Sequence, residues 1–191
     1  DAGTGTFSAT VDYGDGAGPQ PLALGAERTF ALAHVYRDDG VFIVTVVVTD
    51  GAGGSATATT TVTVSNVAPV VMPFLGGTVV EGGLYAVNGL FVDPGADAWI
   101  ATVDYGDGGG GQPLLLNEDQ TFSLSHRYAD NGTYTVTVAV SDGDGGEGRN
   151  TASVVVTNAA PVLSAGGNET VDEGRTFTRN GSFSDAGADT F

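Results

Sequence analysis

A strict internal repeat constrains this chain more than any other feature of its sequence. The sextet Val-Asp-Tyr-Gly-Asp-Gly occurs at Val11–Gly16 and again at Val103–Gly108, an offset of 92 residues from position 11 to position 103. Further landmarks keep that offset: His34 and His126, Tyr36 and Tyr128, Asp50 and Asp142, Asn66 and Asn158, Glu81 and Glu173, and the opening Asp1–Phe7, which recurs as Asp93–Trp99 and Asp185–Phe191. A period without insertions indicates tandem duplication of one structural unit.

Within each period the residue pattern is that of β-strands. Val41–Thr49 and Thr133–Ser141 are long runs of β-branched and aromatic residues, and in the second run valine alternates with Thr and Ala, so one face is predicted to be buried. Shorter runs of the same kind predict strands at Phe7–Tyr13, Thr29–His34, Thr59–Ser65, Trp99–Tyr105, Thr121–His126 and Thr151–Thr157. Clusters of Gly, Asp and Asn separate the runs at the spacing of a β-sandwich, and we find no helical stretch. The predicted fold class is all-β, with tandem β-sandwiches.

Proline-containing linkers mark the predicted domain boundaries. At Asn66-Val67-Ala68-Pro69 and Asn158-Ala159-Ala160-Pro161 a strand ends, and proline fixes the entry to the next unit. On this phasing, 1–66 is a repeat lacking its first two strands, 67–158 is a complete repeat and 159–191 begins a third. Residues 159–184 are of the type that the first repeat lacks. We therefore expect either that the parent chain continues upstream or that a neighbouring subunit donates these strands.

The charge of the chain excludes several classes of partner. It carries 23 acidic residues against 6 basic ones, for a net charge of -17, and every basic residue is arginine. Nucleic acid and anionic membranes both need a basic surface, so neither is an expected partner, and no apolar run is long enough to span a membrane. There is no cysteine, which removes disulfides, zinc thiolates and thiol chemistry. Most of the acids are Asp, the residue of tight turns and of calcium sites, although acids also serve simply to keep a surface soluble.

No motif predicts catalysis. The glycines of Val103–Gly108 are not followed by Lys and Ser or Thr, so this is interpreted as a hairpin turn and not as a phosphate loop. His34 and His126 are the only histidines, one in each repeat, and the pattern fixes no second histidine, cysteine or acid beside them. They are predicted to be structural, with Tyr36 and Tyr128 as corner residues that bond backbone. The chain is predicted not to be an enzyme.

These motifs together resemble the PKD domain, an immunoglobulin-like β-sandwich of secreted and surface proteins. The resemblance covers the whole period and depends on Val103–Gly108, His126-Arg127-Tyr128, Gly132-Thr133-Tyr134, the alternating Val136, Val138 and Val140, and Asp142-Gly143. One departure is that Val11 and Val103 stand where many members carry Trp. The resemblance implies tandem PKD-type sandwiches that serve as spacer or interaction modules.

Calcium is the predicted ligand. In an immunoglobulin-like sandwich the domain entry, the loop after the second strand and the loop before the last strand meet at one pole, and carboxylates gathered there repel unless a cation lies among them. Some PKD domains bind calcium at this pole. The candidate ligands are Asp93 and Asp142, followed by Asp97, Asp144 and Asn66, with Asp1 and Asp50 as counterparts in the first repeat and Asn158, Asp185 and Asp189 in the third. The alternative is that these acids are solvated turn residues.

The predicted function is a calcium-stabilised structural repeat of an extracellular or cell-surface protein, acting as a spacer or self-assembling fibre. Its expected partners are neighbouring repeats or identical subunits. The alternative is a carbohydrate- or protein-binding module of an adhesin or secreted hydrolase, which would bind polysaccharide or surface proteins. The triplets at Asn131, Asn168 and Asn180 fit the N-glycosylation pattern, but Asn-Gly at two of them is equally a turn feature.

Overall fold

The computed structural model describes residues 5–188, which form fourteen β-strands. In chain order these are β1 Phe7–Asp12, β2 Gln20–Pro21, β3 Gly40–Asp50, β4 Ser55–Val64, β5 Val70–Val71, β6 Gly77–Val80, β7 Leu84–Val92, β8 Ile100–Asp104, β9 Gln112–Leu114, β10 Thr121–Arg127, β11 Gly132–Ser141, β12 Glu147–Thr157, β13 Val162–Ser164 and β14 Ser182–Ser184. No helix in this part of the chain is long and apolar enough to cross a membrane. The predicted all-β class is confirmed.

The chain divides into two compact units. The first comprises Asp1–Val67 together with the short loop Pro94–Asp97, and the second comprises Ala68–Asp93 and Ala98–Phe191. Most strands of both units pair with antiparallel neighbours, as the hairpin spacing of the sequence predicts.

The second unit is an immunoglobulin-like sandwich. One sheet has the order β6-β12-β11-β8-β9 and the other the order β10-β7-β5. Strand β6 pairs in parallel with β12, and the other neighbours are antiparallel. The alternating valines of β11 explain the core, because Val136, Val138 and Val140 are all fully buried. Burying each such side chain contributes roughly 1.5–3 kcal/mol.

Aromatic residues complete the core of the second unit. Phe122 of β10 meets Phe74 edge to face at 6.2 Å, and Phe91 of β7 meets Trp99 at 5.3 Å. Gly89 of β7 lies beneath the Phe122 ring, and a Cβ there would come within 2.3 Å of it. The ring therefore occupies space that only glycine leaves open.

The first unit contains one sheet, of order β2-β1-β3-β4. Its buried cluster is small and comprises Val11, Tyr13, Val44 and Val46. The long strands β3 and β4 pair over ten positions, from Gly40 opposite Val64 to Thr49 opposite Ser55. Within residues 5–188, the outer edge of β4 has no strand beside it.

One predicted strand was wrong. Thr29–His34 was expected to match Thr121–His126, but only the second segment forms a strand, as part of β10. Strand β10 exists because it pairs with β7 along its whole length. Over the described residues the first unit has no counterpart of β7. The backbone of Thr29–His34 therefore has no neighbouring strand with which to form hydrogen bonds.

The hairpin predicted from the repeated sextet is confirmed in both units, where it joins β1 to β2 and β8 to β9. In each turn an aspartate accepts a hydrogen bond from a glycine two residues later, Asp12 from Gly14 N–H and Asp104 from Gly106 N–H, both at 2.8 Å. Gly106 has φ of 78°, and a Cβ there would lie 2.6 Å from the Thr135 carbonyl oxygen. The turn therefore requires glycine for its conformation and its close approach to β11.

The last two strands repeat an earlier pairing. β13 pairs with β14 so that Leu163 lies opposite Phe183, as Val71 of β5 lies opposite Phe91 of β7. Both pairs of partners differ by the 92-residue offset. Residues 159–184 thus reproduce part of the β5–β7 arrangement.

Candidate functional site

The tightest acidic cluster in the described part of the chain lies in the first unit. Carboxylate oxygens of Asp38, Asp39 and Asp97 all lie within 4.8 Å of one another. Asp38 is exposed, whereas Asp97 is half-buried. The amide of Asp39 donates a 3.0 Å hydrogen bond to the Asp38 carboxylate, which fixes the turn that precedes β3. Three like charges this close repel one another unless a cation lies among them.

The loop Pro94–Asp97 brings Asp97 to this turn. The backbone amide of Ala96 donates a 2.8 Å hydrogen bond to the carbonyl oxygen of Arg37. Asn66, at the end of the first repeat, lines the same cleft as the three aspartates. Two of the predicted ligands, Asn66 and Asp97, are therefore brought together, but their acidic neighbours are Asp38 and Asp39.

Sequence reasoning missed Asp38 and Asp39. Their counterparts 92 residues later are Asp130 and Asn131, and the amide of Asn131 donates to Asp130 in the same way, at 2.8 Å. The substitution of Asn for Asp weakened the repeat pattern at this position. An Asp-Asp pair directly before the glycine that opens β3 was the feature that could have indicated the site.

The donor set fits calcium. The cluster offers oxygen ligands from three carboxylates, and Asn66 lines the same cleft. Calcium takes six to eight oxygens at about 2.3–2.6 Å, so ligands on opposite sides of one ion lie about 4.6–5.2 Å apart. The 4.8 Å limit on the separations within the cluster lies inside that range. Water would supply the remaining ligands of such an ion.

The two leading predicted ligands, Asp93 and Asp142, are buried in the second unit and already accept hydrogen bonds. Asp93 Oδ2 accepts a bond of 3.1 Å from the indole nitrogen of Trp99. Asp142 Oδ1 accepts bonds from the amides of Asp144 and Gly146, at 2.9 and 2.8 Å. These contacts give both carboxylates a structural role, and their part in metal binding stays a prediction.

The other predicted ligands lie mostly in turns. Asp50 repeats the arrangement of Asp142, because its Oδ1 accepts from the amides of Ala52 and Gly54 at 2.9 and 2.8 Å. Asp185 accepts from the amide of Ala186 at 2.8 Å. Asp144 and Asn158 are exposed. Asp1 and Asp189 lie outside the described residues.

Each histidine has an acidic partner, which corrects the expectation that no acid is fixed beside it. His126 Nε2 lies 2.8 Å from Asp107 Oδ2, and His34 Nε2 lies 2.7 Å from Asp15 Oδ2. The partners are 19 residues apart in both repeats, so the loop that carries the acid is brought to the histidine by the sheet. His126 also stacks on Tyr105, with ring centroids 4.1 Å apart.

The two acids differ in what governs their pKa. The hydrogen bond from the Ala17 amide, followed by that from His34, lowers the pKa of Asp15. For Asp107, burial opposes ionisation, but the Gly109 amide and His126 together outweigh it and lower the pKa of that carboxyl. Both carboxylates are therefore favoured as anions that fasten the turn to the histidine.

The predicted corner tyrosines are confirmed. The hydroxyl of Tyr128 donates to the carbonyl oxygen of Tyr105, and that of Tyr36 to the carbonyl oxygen of Tyr13, both at 3.1 Å. Tyr128 is almost completely buried, and burial together with the nearby Tyr85 raises its pKa. This hydroxyl therefore stays protonated and acts as a fixed donor.

A buried acid in the second unit holds the linker that follows the complete repeat. Glu81 is 2% exposed, and its Oε1 accepts a 2.6 Å hydrogen bond from the amide of Ala159. Gly187 packs against the same carboxyl, where a Cβ would lie 2.7 Å from Glu81 Cδ. In the same unit, the amide of Ala188 donates a 2.9 Å hydrogen bond to the carbonyl oxygen of Ala129. That bond repeats the one from Ala96 to Arg37 at the 92-residue offset.

The paired sheets, repeated corner tyrosines and repeated loops define an immunoglobulin-like tandem module. The family model for the PKD domain matches residues 1–64 and 66–157, and the chain belongs to this family. PKD domains are typically non-catalytic modules of extracellular or surface proteins. No curated protein matches the sequence.

Solved structures with a similar fold include several multidomain chains. The titin domains z1z2 in complex with telethonin share 17% identity, with 82% of this chain and 83% of that chain covered and a TM-score of 0.46. The extracellular domains 3–5 of Drosophila OTK share 15% identity, with coverages of 81% and 52% and a TM-score of 0.40. The titin domains I67–I69 share 14% identity, with coverages of 81% and 56% and a TM-score of 0.41.

Proposed function

We propose that this chain is a structural spacer of an extracellular or cell-surface protein, built from tandem PKD domains whose joints are stabilised by calcium. The observation that carries the proposal is the repeated hydrogen bond from Ala96 to Arg37 and from Ala188 to Ala129, at 2.8 and 2.9 Å. In both places the loop that follows the opening strands of one repeat is bonded to the turn that precedes a long strand of the repeat before it. A spacer needs such a joint at every boundary.

Calcium is proposed at the first joint, with Asp38, Asp39, Asp97 and Asn66 as its ligands. Support comes from the separation of the three carboxylates and from Asn66, which lines the same cleft. An ion there would connect the turn before β3 to the loop carrying Asp97. Its binding would therefore both neutralise the acids and fix the loop. The role assigned to the ion is mechanical.

Calorimetric titration of calcium into chelator-treated protein, combined with thermal unfolding, tests this proposal. The expected result is saturable binding and a rise in melting temperature, since a ligand at a hundred times its Kd stabilises by about 2.7 kcal/mol. Asp38→Asn and Asp97→Asn should each weaken binding at least tenfold. Glu118→Gln removes the same charge from an exposed position and should bind calcium as the wild type does.

Two outcomes would contradict the calcium assignment. The first is the absence of both binding heat and a melting shift in the wild type. The second is an equal loss of calcium affinity in Glu118→Gln and Asp97→Asn, which would show only a general attraction of cations to an acidic surface. Either result would leave the spacer without a metal at its joints.

A further inference from the structure

The outer face of the smaller sheet in the second unit is apolar and exposed. On the side of β10-β7-β5 that points away from the core, the apolar side chains are those of Leu84, Leu90, Val92, Val70 and Met72, which are between 39% and 54% exposed. The amide of Met72 donates a 3.0 Å hydrogen bond to the carbonyl oxygen of Leu90, so these residues adjoin. We call this surface the β7 face. A contiguous exposed apolar patch on a soluble domain marks an interaction site.

Comparison along the repeat shows that the fold does not require an apolar outer face. The inward positions of β7 keep their aromatic character at the 92-residue offset, since Tyr85 and Phe91 correspond to Phe177 and Phe183. The outward positions 84, 86, 88, 90 and 92 correspond to the polar residues Thr176, Thr178, Asn180, Ser182 and Ser184. The apolar outward sequence is therefore particular to the second unit.

The middle of the β7 face carries no charge. Between Thr121 opposite Leu90 and Arg127 opposite Leu84, the outward side chains are small or neutral, those of Asn88, Ala86, Ser123 and Ser125. The chain as a whole has a net charge of -17, so two copies repel one another over most of their surfaces. A surface without acids is where two copies can approach at least electrostatic cost.

Charges of opposite sign lie at the two ends of the face, along β10. Arg127 is the last residue of β10 and lies opposite Leu84, and one nitrogen of its guanidinium donates a 2.6 Å hydrogen bond to the carbonyl oxygen of Gly82. Asp119 lies just before β10, and its carboxylate accepts a 2.6 Å hydrogen bond from the Thr121 hydroxyl. Guanidinium has five N–H donors, so Arg127 has others to offer a second carboxylate.

We propose that two copies of this chain pair through their β7 faces, about a two-fold axis that lies between the two sheets and crosses β7 at Asn88. Both copies use the same surface, so the pairing closes at a dimer. The proposal goes beyond the spacer function and does not depend on calcium.

The outward sequence of β7 is complementary to itself about this axis. Because the axis reverses the strand, Leu84 of one copy faces Val92 of the other, and the small Ala86 leaves room for Leu90. Asn88 faces its own counterpart, and each amide has a donor for the oxygen of the other. Apolar positions thus meet apolar positions, and the polar position meets itself.

The same axis brings the charged ends together. Asn88 lies opposite Ser123, and Arg127 and Asp119 are each four residues from Ser123 along the chain. Reversal about Ser123 therefore places Arg127 of each copy against Asp119 of the other. Two ion pairs form in each dimer, and they favour this orientation over a parallel one.

The size of the face predicts a weak dimer. The nine residues of β7 and the three strands of the sheet span about 30 Å by 14 Å, or about 400 Å² on each copy. A complex of standard size buries about 800 Å² on each partner. Dimerisation is therefore expected between micromolar and millimolar concentrations of the chain.

Sedimentation velocity of the intact chain over that range is the first test, in excess chelator and at physiological salt, which screens the repulsion between copies. The mass of the wild type should rise with concentration and level off at a dimer. Leu84→Thr combined with Leu90→Ser introduces the residues of the third repeat at these positions. This double variant should weaken dimerisation at least tenfold, because it removes four apolar side chains from each interface.

Ile100→Ser is the matched control. Ile100 is 73% exposed on β8, which belongs to the other sheet, and the corresponding residue of the first repeat is Ser8. An exposed apolar side chain is again replaced by the residue of another repeat, so this variant should dimerise as the wild type does. Trp99 packs against Phe91 in the core, and its unchanged fluorescence would verify that the second unit of each variant is folded.

Charge reversal tests the orientation of the two copies. Arg127→Asp places an acid against Asp119 of the other copy and should weaken dimerisation at least fivefold. Adding Asp119→Arg restores opposite charges across the interface, so the double variant should recover most of the lost affinity. Failure of the second substitution to recover affinity, with Trp99 fluorescence unchanged, would refute the antiparallel orientation.

Cysteine substitution tests the position of the axis, because the chain has no cysteine of its own. Asn88→Cys brings two thiols together at the axis, and facing sheets of immunoglobulin domains are close enough for a disulfide to join them. Oxidation should link Asn88→Cys into a covalent dimer at least ten times as fast as it links Ile100→Cys. Equal rates would refute an axis at Asn88.

Three results would overturn the proposal as a whole. They are a wild type that remains monomeric at millimolar concentration, a mass that grows beyond a dimer, and a Leu84→Thr, Leu90→Ser variant that associates as the wild type does. An equal loss of association in Ile100→Ser would assign the contact to another surface and would also overturn it. A monomeric wild type that still binds calcium would leave the proposed spacer function standing.

Discussion

Replacing the same phenylalanine in each repeat gives a direct measure of how differently the two units bury it. Phe122 is 1% exposed and lies between Phe74 and the backbone of Gly89. Phe122→Ala should therefore cost about 3–5 kcal/mol, the usual range for a buried phenylalanine. Phe30 is 46% exposed, so about half of the roughly 1.5–3 kcal/mol of full burial is available, and Phe30→Ala should cost about 1 kcal/mol in the isolated chain.

The single tryptophan allows the two units to be followed separately. Trp99 packs 5.3 Å from Phe91 in the second unit, so its fluorescence reports urea unfolding of that unit alone. Phe122→Ala should shift the tryptophan transition strongly, whereas Phe30→Ala should leave it in place and alter only the circular dichroism of the whole chain. Equal destabilisation by the two substitutions would refute the reasoning, because it would mean that Phe30 is already buried.

Three further substitutions test contacts inside the second unit. Gly89→Ala should destabilise by about 1–3 kcal/mol in the tryptophan transition, because its Cβ would lie 2.3 Å from the ring of the buried Phe122; an unchanged midpoint would contradict that packing. Glu81→Ala leaves the Ala159 amide without its acceptor and should cost about 1–3 kcal/mol in the same assay; a neutral result would show that the linker is not held there. Asp107→Asn should destabilise most above pH 3.8, the ordinary pKa, because the lowered pKa of this carboxyl makes its contribution complete there and lost as the pH falls through the folded value. Unfolding at neutral and acid pH checks the sign, and a gap from the wild type that widens in acid would contradict it.

Strand positions were largely predictable, because a strand with one face in a sandwich core shows alternating apolar and polar residues. The alternating valines at Val136, Val138 and Val140 predicted β11, and the repeat transferred that prediction to β3. Thr29–His34 shows the limit of such reasoning. Its residues match those of β10, but a strand forms only when a second segment pairs with it. The sequence of Thr29–His34 alone does not show whether such a segment is present.

The site was less predictable than the fold. Asp97 and Asn66 were predicted as ligands, but the acids that meet Asp97 are Asp38 and Asp39, which belong to the turn before β3. Likewise, the pairing of His126 with Asp107 spans 19 residues and depends on which hairpin turn reaches β10. Such contacts depend on tertiary geometry and cannot be predicted from the spacing of residues along the chain.

A comparison of equivalent residues in the two units is more informative about burial than either unit alone. Comparing Phe30 with Phe122 separates the effect of residue type from the effect of its surroundings, since the residue type is the same and only the surroundings differ. Because equivalent residues lie 92 positions apart, each unit serves as a control for the other.

Amide hydrogen exchange of residues 95–97 and 121–127, followed by mass spectrometry in calcium and in excess chelator, tests the central claim most directly. The second segment should be protected in both conditions, because β10 pairs with β7. The account predicts slower exchange of residues 95–97 in calcium than in chelator, because an ion held by Asp97 would fix this loop to the turn before β3. Equal exchange of residues 95–97 in both conditions would contradict a calcium-stabilised joint.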